Sequence, residues 1–202
     1  MSMLPTKVRN HLEKADPKIY SLVQITSDID LHPTKKYFQD LCESIVCQQL
    51  SGKAAASIWR KFELLVGKKN IQPEYIAKLD DAFLRTTGIS WAKARYTKSV
   101  ARAFLDGTVT PRKFSSMTEE ELITQLVKIK GVGKWTAEMF LMFSLGREDV
   151  FSAGDLGLRK GVQKLYGMKI LPSEQTMKRV SKKWSPYRTY GALLLWRSLE
   201  TV

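Results

Sequence analysis

The chain has 202 residues, of which 44% are hydrophobic, and its 33 Lys and Arg outnumber its 20 Asp and Glu to give a net charge of +13. This composition excludes a disordered chain, and the lack of an apolar run of about 18 residues excludes a membrane span. The surplus of positive charge predicts a polyanionic partner, although generic solubility or an anionic membrane surface would also account for it. Residues 1–14 lack the apolar core of a signal peptide, so we expect an intracellular protein.

Apolar residues recur at helical spacing along the chain, and no segment has the alternation typical of a β-strand. One or two helices are predicted within residues 5–27, and two short ones at residues 73–78 and 80–87. Longer helices are predicted from Tyr37 to Val46, Ser51 to Gly67, Trp91 to Asp106, Thr118 into a glycine turn, Trp135 to Leu145, Leu156 to Tyr166, and over residues 173–183 and 186–200. The segment from Trp135 to Leu145 is apolar nearly all round, which predicts a buried helix. The predicted fold class is all-α.

Capping residues mark the starts of several of these helices. Ser51 and Ser90 are predicted N-caps, and Thr118 with Glu121 has the form of a capping box. Ser185-Pro186 fits the cap and first-turn positions of the last helix. Most helix boundaries can therefore be predicted from local chemistry alone.

The turn Gly131-Val132-Gly133 joins two of the predicted helices and is the feature with the clearest functional meaning. Glycine accepts positive φ and allows another backbone to approach closely. The amides at the start of the following helix have no intrahelical partners, and such a terminus is suited to binding phosphate. Lys128, Lys130 and Lys134 surround the turn with positive charge.

Asp155 follows Gly133 by 22 residues, Gln48-Gln49-Leu50-Ser51 lies upstream, and Trp184-Ser-Pro-Tyr-Arg188 lies downstream. With the glycine turn, these segments resemble the helix-hairpin-helix DNA glycosylases, and most closely their alkylated-base branch, the 3-methyladenine DNA glycosylases. The resemblance spans roughly residues 35 to 198. It implies one domain over residues 1–202, built as two helical lobes around a DNA-binding cleft, with the hairpin at about residues 118–145.

The resemblance implies a monofunctional enzyme that extrudes alkylated purines such as 3-methyladenine and 7-methylguanine and hydrolyses the N-glycosidic bond in base excision repair. It assigns catalysis to Asp155 and the base pocket to Trp135, Met139 and Tyr187. Bifunctional relatives have a Schiff-base lysine two residues after the second hairpin glycine, where this chain has Trp135, and a tryptophan cannot form an imine. Alkylated purines carry positive charge, which an aromatic face attracts.

The resemblance also implies a set of residues that contact double-stranded DNA. Gln49 is the first candidate for the wedge that fills the gap left by the extruded nucleotide, with Leu50 and Gln48 as alternatives. The DNA-binding set comprises Gln48, Gln49, Leu50, Ser51, Lys53, Lys130, Gly131, Val132, Gly133, Lys134 and Thr136.

No cofactor is expected to be required. Cys42 and Cys47 cannot supply the four thiolates of the iron–sulfur cluster that some relatives carry, and the resemblance implies a structural Na⁺ or K⁺ ion at the carbonyls of Val127, Ile129 and Val132. A monomer is expected, acting on DNA that contains alkylated bases, without a membrane partner, and located with the DNA in the cytoplasm or nucleus. The pocket departs from the best-known bacterial pattern at Met139, Leu156 and Tyr187, so the order of preference among alkylated purines stays open.

Each of these assignments has an alternative. Taken on its own, Trp135 fits core packing better than a base pocket, and only its place in the matched motif favours the pocket. Asp155 could be a helix N-cap that has no catalytic role. A DNA-binding module that has lost catalysis, or a glycosylase for oxidised or mismatched bases, would have the same hairpin. Replacement of Asp155 by Asn distinguishes the enzyme from the binding module.

Overall fold

A computed structural model describes residues 4–24, 29 and 31–200, and within these residues the chain forms helices, turns and loops without a β-strand. The prediction of an all-α fold is confirmed. Twelve α-helices are found in this part of the chain: α1 (Thr6–Ala15), α2 (Pro17–Ser21), α3 (Tyr37–Cys47), α4 (Gly52–Val66), α5 (Pro73–Ile76), α6 (Asp81–Arg85), α7 (Trp91–Leu105), α8 (Glu119–Leu126), α9 (Lys134–Met139), α10 (Leu156–Tyr166), α11 (Glu174–Ser181) and α12 (Arg188–Glu200).

The chain divides into two compact units. One is Thr34–Leu145, and the other comprises the described residues of Met1–Pro33 and of Gly146–Val202. The helices predicted within residues 5–27 are α1 and α2, followed by a 3-10 turn at Leu22–Gln24, and residues 25–27 lie outside the described part. No described helix combines the length and the hydrophobicity needed to span a membrane.

In the unit Thr34–Leu145, α7 packs against α3, α5 and α6. Leu41 and Ile45 of α3 and Val100 of α7 are completely buried in this core. Tyr37, Phe114 and Phe140 add a cluster of edge-to-face aromatic contacts, with ring centroids 5.2–6.0 Å apart. The turn that follows α9 is thus packed against the start of α3 through the rings of Phe140 and Tyr37.

The other unit is held together by a buried carboxylate. Asp16 is 1% exposed. It accepts hydrogen bonds from Trp184 Nε1 at 2.8 Å and from the hydroxyl of Tyr166, and it pairs with Lys183 Nζ at 2.9 Å. Burial alone would raise the pKa of Asp16, but the hydrogen bonds from Tyr166, Trp184 and Lys183 outweigh it and hold the pKa below its usual value.

Two of the predicted caps are confirmed by their hydrogen bonds. Lys93 N donates to Ser90 Oγ at 3.2 Å, and Thr118 and Glu121 form a reciprocal capping box. Ser51 does occupy the N-cap position of α4, but its side chain makes no capping hydrogen bond there.

The prediction that Ser185-Pro186 opens the last helix is wrong, since α12 begins at Arg188. The amide of Tyr187 donates back to the Trp184 carbonyl at 2.8 Å, which forms a turn ahead of the helix. Ser185 Oγ donates to Asp149 Oδ2 rather than capping α12, and the carboxylate of Asp149 accepts from the amide of Arg188 instead. A cap contributed by a residue distant in sequence has replaced the local one.

Candidate functional site

The glycine turn between α8 and α9 is fixed by contacts within its own unit. Gly131 has φ of +99°, and a Cβ atom at this position would lie 2.4 Å from the ring of Tyr96. Val132 is buried, and its amide donates to the Ile129 carbonyl at 3.0 Å. Gly133 has φ of −87° and no heavy atom within 4 Å of its Cβ direction. Gly131 is therefore required by the fold, whereas Gly133 is required only if a ligand approaches it.

The loop Gln48–Ser51 between α3 and α4, here called the wedge loop, lies next to this turn. Gln48 Nε2 donates to the Gly131 carbonyl at 3.0 Å and to Thr136 Oγ1 at 3.3 Å. Gln49 is exposed and adopts the left-handed conformation with φ of +57°, and Leu50 is exposed as well. The fold thus brings together three of the predicted DNA-binding residues and exposes two candidates for the wedge.

Lysines on the same unit lie at the surface. Lys53, Lys130 and Lys134 are all exposed, and Lys134 Nζ lies 3.8 Å from Glu138 Oε1. The side chain of Lys134 is 60% exposed, but that of Glu138 is only 8% exposed, so Lys134 also compensates a buried negative charge. The exposed ammonium groups of Lys53 and Lys130 are accessible to an anionic ligand.

Trp135 and Met139 lie four residues apart on α9 and so share one face of the helix. The side chain of Trp135 is 49% exposed, and Phe143 in the π-helical turn Phe140–Ser144 is 43% exposed. The prediction of a buried helix holds for most of this segment, but not at Trp135 and Phe143. Its buried residues are Thr136, Ala137, Glu138, Phe140, Leu141, Met142 and Ser144. Trp135 is therefore not a fully buried core residue, and its place in a base pocket stays a prediction.

Asp155 caps the N-terminus of α10 in the other unit. Its Oδ1 accepts a hydrogen bond from the Leu158 amide at 2.7 Å and another from Trp196 Nε1 at 3.0 Å. A Cβ atom on Gly157 would lie 3.1 Å from Asp155 Oδ1 and 3.1 Å from Trp196 Nε1, so a small residue is needed beside this contact. Asp155 is therefore the N-cap of α10, as one of the two interpretations of the sequence predicts. Its second hydrogen bond, from Trp196, is not part of the cap and further fixes the carboxylate.

Tyr187 is half-buried in the same unit. Its ring makes an edge contact with His11 at 5.3 Å, and Lys7 Nζ lies over its face at 5.5 Å. The next residue, Arg188, forms a bidentate ion pair with Asp149. Its Nε donates to Oδ1 at 2.8 Å and its Nη2 donates to Oδ2 at 3.0 Å. Tyr187 is thus firmly held, and its place in a base pocket stays a prediction.

The carbonyls predicted to hold a monovalent cation lie at the end of α8 and in the glycine turn. Ile129 O already accepts from the Val132 amide, which leaves a second lone pair on that oxygen. Ile129 and Val132 are buried, while Val127 is 41% exposed. Carbonyl oxygens suit a hard cation, so the donor chemistry fits Na⁺ or K⁺.

Comparison with known proteins now decides the family. Residues 42–186 match the model of the HhH-GPD superfamily base excision DNA repair proteins. The chain belongs to this superfamily.

Known DNA-3-methyladenine glycosylases are similar to this chain over most of their own length. DNA-3-methyladenine glycosylase 1 of Schizosaccharomyces pombe is 33% identical, in an alignment covering 96% of this chain and 87% of that protein. A crystal structure of DNA-3-methyladenine glycosidase from Bacillus halodurans has a TM-score of 0.84 at 36% identity, covering 98% of this chain and 91% of that one. The structure of the S. pombe 3-methyladenine DNA glycosylase Mag1 in complex with abasic DNA has a TM-score of 0.82 at 31% identity. The superposition covers 96% of this chain and 97% of that one.

Two contacts of this HhH-GPD chain are not predictable from its sequence, those made by the side chains of Trp196 and Lys93. Trp196 lies 41 residues after Asp155, and Lys93 Nζ donates to the carbonyls of Val46 and Gln48, which are more than 40 residues earlier. Neither contact has a local signal, because helical periodicity reports which face is buried and not which distant residue it meets.

Proposed function

We propose that this HhH-GPD protein is a monofunctional DNA-3-methyladenine glycosylase that removes alkylated purines, of the 3-methyladenine and 7-methylguanine class, from double-stranded DNA. The observation that carries the proposal is the carboxylate of Asp155, held by two hydrogen bonds to one of its oxygens. The fixed carboxylate accompanies an exposed aromatic residue and an intact glycine turn. A binding module would need the turn but not an oriented carboxylate.

DNA is bound mainly through its backbone in this proposal. The glycine turn gives backbone amides close access to a phosphate, and Lys130 and Lys134 add charge beside it. The net charge of +13 favours association with a polyanion in the same way. Gln49 or Leu50 enters the duplex and stacks where the extruded nucleotide was.

Selection of the damaged base rests on charge and stacking. A purine alkylated at N3 or N7 carries formal positive charge, and an indole face attracts a cation. Trp135 presents such a face, and Met139 lies on the same side of α9. Extrusion of a base costs a few kcal/mol, and stacking on Trp135 offsets part of that cost.

The chemical step breaks the bond between C1′ of the deoxyribose and the purine nitrogen. The electron pair leaves with the base and neutralises its positive charge, so a strong general acid is not needed. Positive charge develops on the sugar, and the Asp155 carboxylate stabilises it. A water oxygen bonds to C1′, and its proton passes to Asp155 and then to solvent, which leaves an abasic site.

Strand cleavage is not part of the proposed reaction. The residue two positions after Gly133 is Trp135, which cannot form a Schiff base with the abasic sugar. Lys134 is one residue earlier and lies 3.8 Å from Glu138. We therefore expect free base and an intact phosphodiester backbone as products.

The protein acts in this proposal as a monomer without a required cofactor. The two cysteines, Cys42 and Cys47, are too few to supply the four thiolates of an iron–sulfur cluster. A Na⁺ or K⁺ ion at the carbonyls of Val127, Ile129 and Val132 would stiffen the glycine turn. DNA affinity measured in KCl, NaCl and tetramethylammonium chloride at one ionic strength tests for that ion, and light scattering tests for the monomer.

The experiment for the reaction is chromatography of bases released from methylated duplex DNA, with Asp155→Asn as the test variant. Asn is also a good N-cap, so the start of α10 is preserved. Asp80→Asn is the matched control, because Asp80 caps α6 through the Ala82 amide at 3.0 Å and has no proposed role in the reaction.

Release of 3-methyladenine or 7-methylguanine by the wild type and by Asp80→Asn, but not by Asp155→Asn, is the expected result, with the DNA strand intact. If the wild type binds duplex DNA and releases no base, the protein is a binding module. Release that survives Asp155→Asn would remove the carboxylate from the mechanism.

A further inference from the structure

The wedge loop is attached to the body of its unit by a lysine on a different helix. Lys93 of α7 donates from Nζ to the carbonyl of Val46 at 2.9 Å and to the carbonyl of Gln48 at 2.7 Å. The ammonium group is partly buried, and desolvation lowers the pKa of Lys93. Hydrogen bonds from a charged donor are about twice as strong as neutral ones, so the bond to the Gln48 carbonyl is a strong attachment of the loop backbone.

A second attachment reaches the same residue from the opposite direction. The side chain of Gln48 donates to the Gly131 carbonyl and to Thr136 Oγ1, at 3.0 and 3.3 Å. The backbone of Gln48 is therefore held by α7 while its side chain is held by the glycine turn and α9. Because its amide nitrogen is used in these bonds, Gln48 is poorly placed to act as the wedge.

The residues that follow Gln48 project from this fixed point. Gln49 has φ of +57°, a conformation that non-glycine residues adopt only when the surroundings impose it, and Gln49 and Leu50 are exposed. The backbone of the loop is also bonded to the two flanking helices. The amides of Gln48 and Leu50 donate to the carbonyls of Ile45 and Cys47, each at 3.3 Å, and the Ser51 carbonyl accepts from the Ala55 amide at 2.8 Å. The backbone groups of Gln49 take part in none of these bonds. The position of Gln49 and Leu50 thus depends on how Gln48 is held.

We propose that Lys93 is a positioning residue that acts through the Gln48 carbonyl to hold Gln49 and Leu50 in the conformation that enters duplex DNA. This inference rests on the proposed function. A loop ordered before binding loses less conformational entropy on insertion, and the benefit appears only where a base stack has to be opened.

Lys93 could instead have a purely structural role at the end of α3, and the two roles predict different effects of its removal. A lysine at the end of a helix commonly satisfies the last carbonyls, and Val46 O is such a group. That role would affect folding and every substrate alike. The shorter bond, however, goes to Gln48, which lies beyond the end of α3.

The test compares base release from a methylated duplex with release from the methylated single strand of the same sequence, under single-turnover conditions. The variants are Lys93→Met, which removes the donor, Lys93→Arg, which keeps a charged donor, and Arg95→Met as the control. Arg95 is exposed on the same helix, so its loss removes one charge without touching the loop. A duplex with 2-aminopurine beside an abasic-site analogue reports wedge insertion by fluorescence, with or without catalysis.

We expect Lys93→Met to lower the duplex rate by about tenfold, the effect of losing hydrogen bonds from a charged donor. The single-strand rate and the melting temperature should stay close to those of Arg95→Met, the 2-aminopurine signal should fall, and Lys93→Arg should recover part of the duplex rate. An equal loss on duplex and single strand, or an unchanged 2-aminopurine signal, would overturn the role of Lys93. If no variant releases any base while the 2-aminopurine signal still depends on Lys93, the proposed reaction fails and the positioning role stands.

Discussion

The indole nitrogen of Trp196 lies 3.0 Å from Oδ1 of Asp155 and donates a hydrogen bond to it. The same oxygen accepts the Leu158 amide at 2.7 Å, so the carboxylate is fixed from two directions. One donor belongs to the helix that Asp155 caps, and the other comes from α12. A side chain held in this way needs little reorganisation when charge develops near it.

Trp196→Phe should therefore slow base excision without unfolding the protein. The substitution keeps an aromatic ring and removes the N–H, and loss of a hydrogen bond to a charged group predicts a rate about tenfold lower. Single-turnover kinetics on a methylated duplex measure the effect. In an Asp155→Asn background the same change should add almost nothing, and full additivity of the two losses would contradict an action through Asp155.

Trp135→Ala should reduce excision of alkylated purines while leaving stability nearly unchanged. Stacking of a base on an aromatic ring is worth about 1–3 kcal/mol, so we expect a loss of roughly tenfold or more. Because Trp135 is 49% exposed, the melting temperature of the variant should differ from that of the wild type by less than about 2 °C. Trp91→Ala is the matched control, since Trp91 is 45% exposed and stacks on Arg85; equal losses in the two variants would argue against a pocket at Trp135.

Alanine at the two hairpin glycines should separate folding from binding. Gly131→Ala forces a Cβ into the ring of Tyr96 at positive φ and should cost about 2 kcal/mol of unfolding free energy. Gly133→Ala meets no protein atom and has an ordinary φ, so stability should hold while affinity for duplex DNA falls. Thermal melting and fluorescence anisotropy test the pair, and unchanged affinity of Gly133→Ala would mean that no phosphate approaches this backbone.

Asp16→Asn should destabilise the protein at neutral pH by about 1–2 kcal/mol, because the change weakens the hydrogen bonds that the buried carboxylate accepts from Tyr166 and Trp184. Lys183, whose side chain is 42% exposed, can be solvated when its partner is lost. The pKa of Asp16 is lowered in the folded state, so its stabilising contribution is present above the unfolded pKa and is lost as the pH falls through the folded pKa. The difference in unfolding free energy between wild type and variant should thus shrink below about pH 4.

Urea unfolding at pH 7 and pH 3 measures this difference. Asp106→Asn serves as the control, since Asp106 is exposed and accepts only locally, from the Thr108 amide at 2.9 Å. A deficit of equal size at both pH values would show that the charge of Asp16 is not what matters.

Local chemistry predicted much of this molecule. The capping box at Thr118, the cap at Ser90, the glycine turn and the helix that starts after Asp155 are all determined by residues within one or two turns of each other. The family followed from the spacing between Gly133 and Asp155 together with the flanking segments.

The contacts that were not predicted join residues far apart in the sequence. Asp149 replaces the expected local cap of α12, Trp196 reaches Asp155, and Lys93 reaches the carbonyl of Gln48. The periodicity of the segment from Trp135 to Leu145 could not show that Trp135 is exposed, because an exposed apolar residue can have the same spacing as one in the core. Each of these contacts depends on which helices pack together, and the pattern of residues within a single helix does not show which helix it will pack against.

The left-handed backbone of Gln49 limits which side chains could replace it. At φ of +57° a side chain branched at Cβ clashes with its own backbone, whereas glycine, asparagine or an unbranched chain is accommodated. A saturation library at this position should therefore lose Val, Ile and Thr to misfolding of the loop. Linear side chains should survive and differ among themselves in how well they fill a gap in the base stack. The backbone conformation of residue 49 thus limits the set of amino acids that evolution or protein design could use as a wedge at this position.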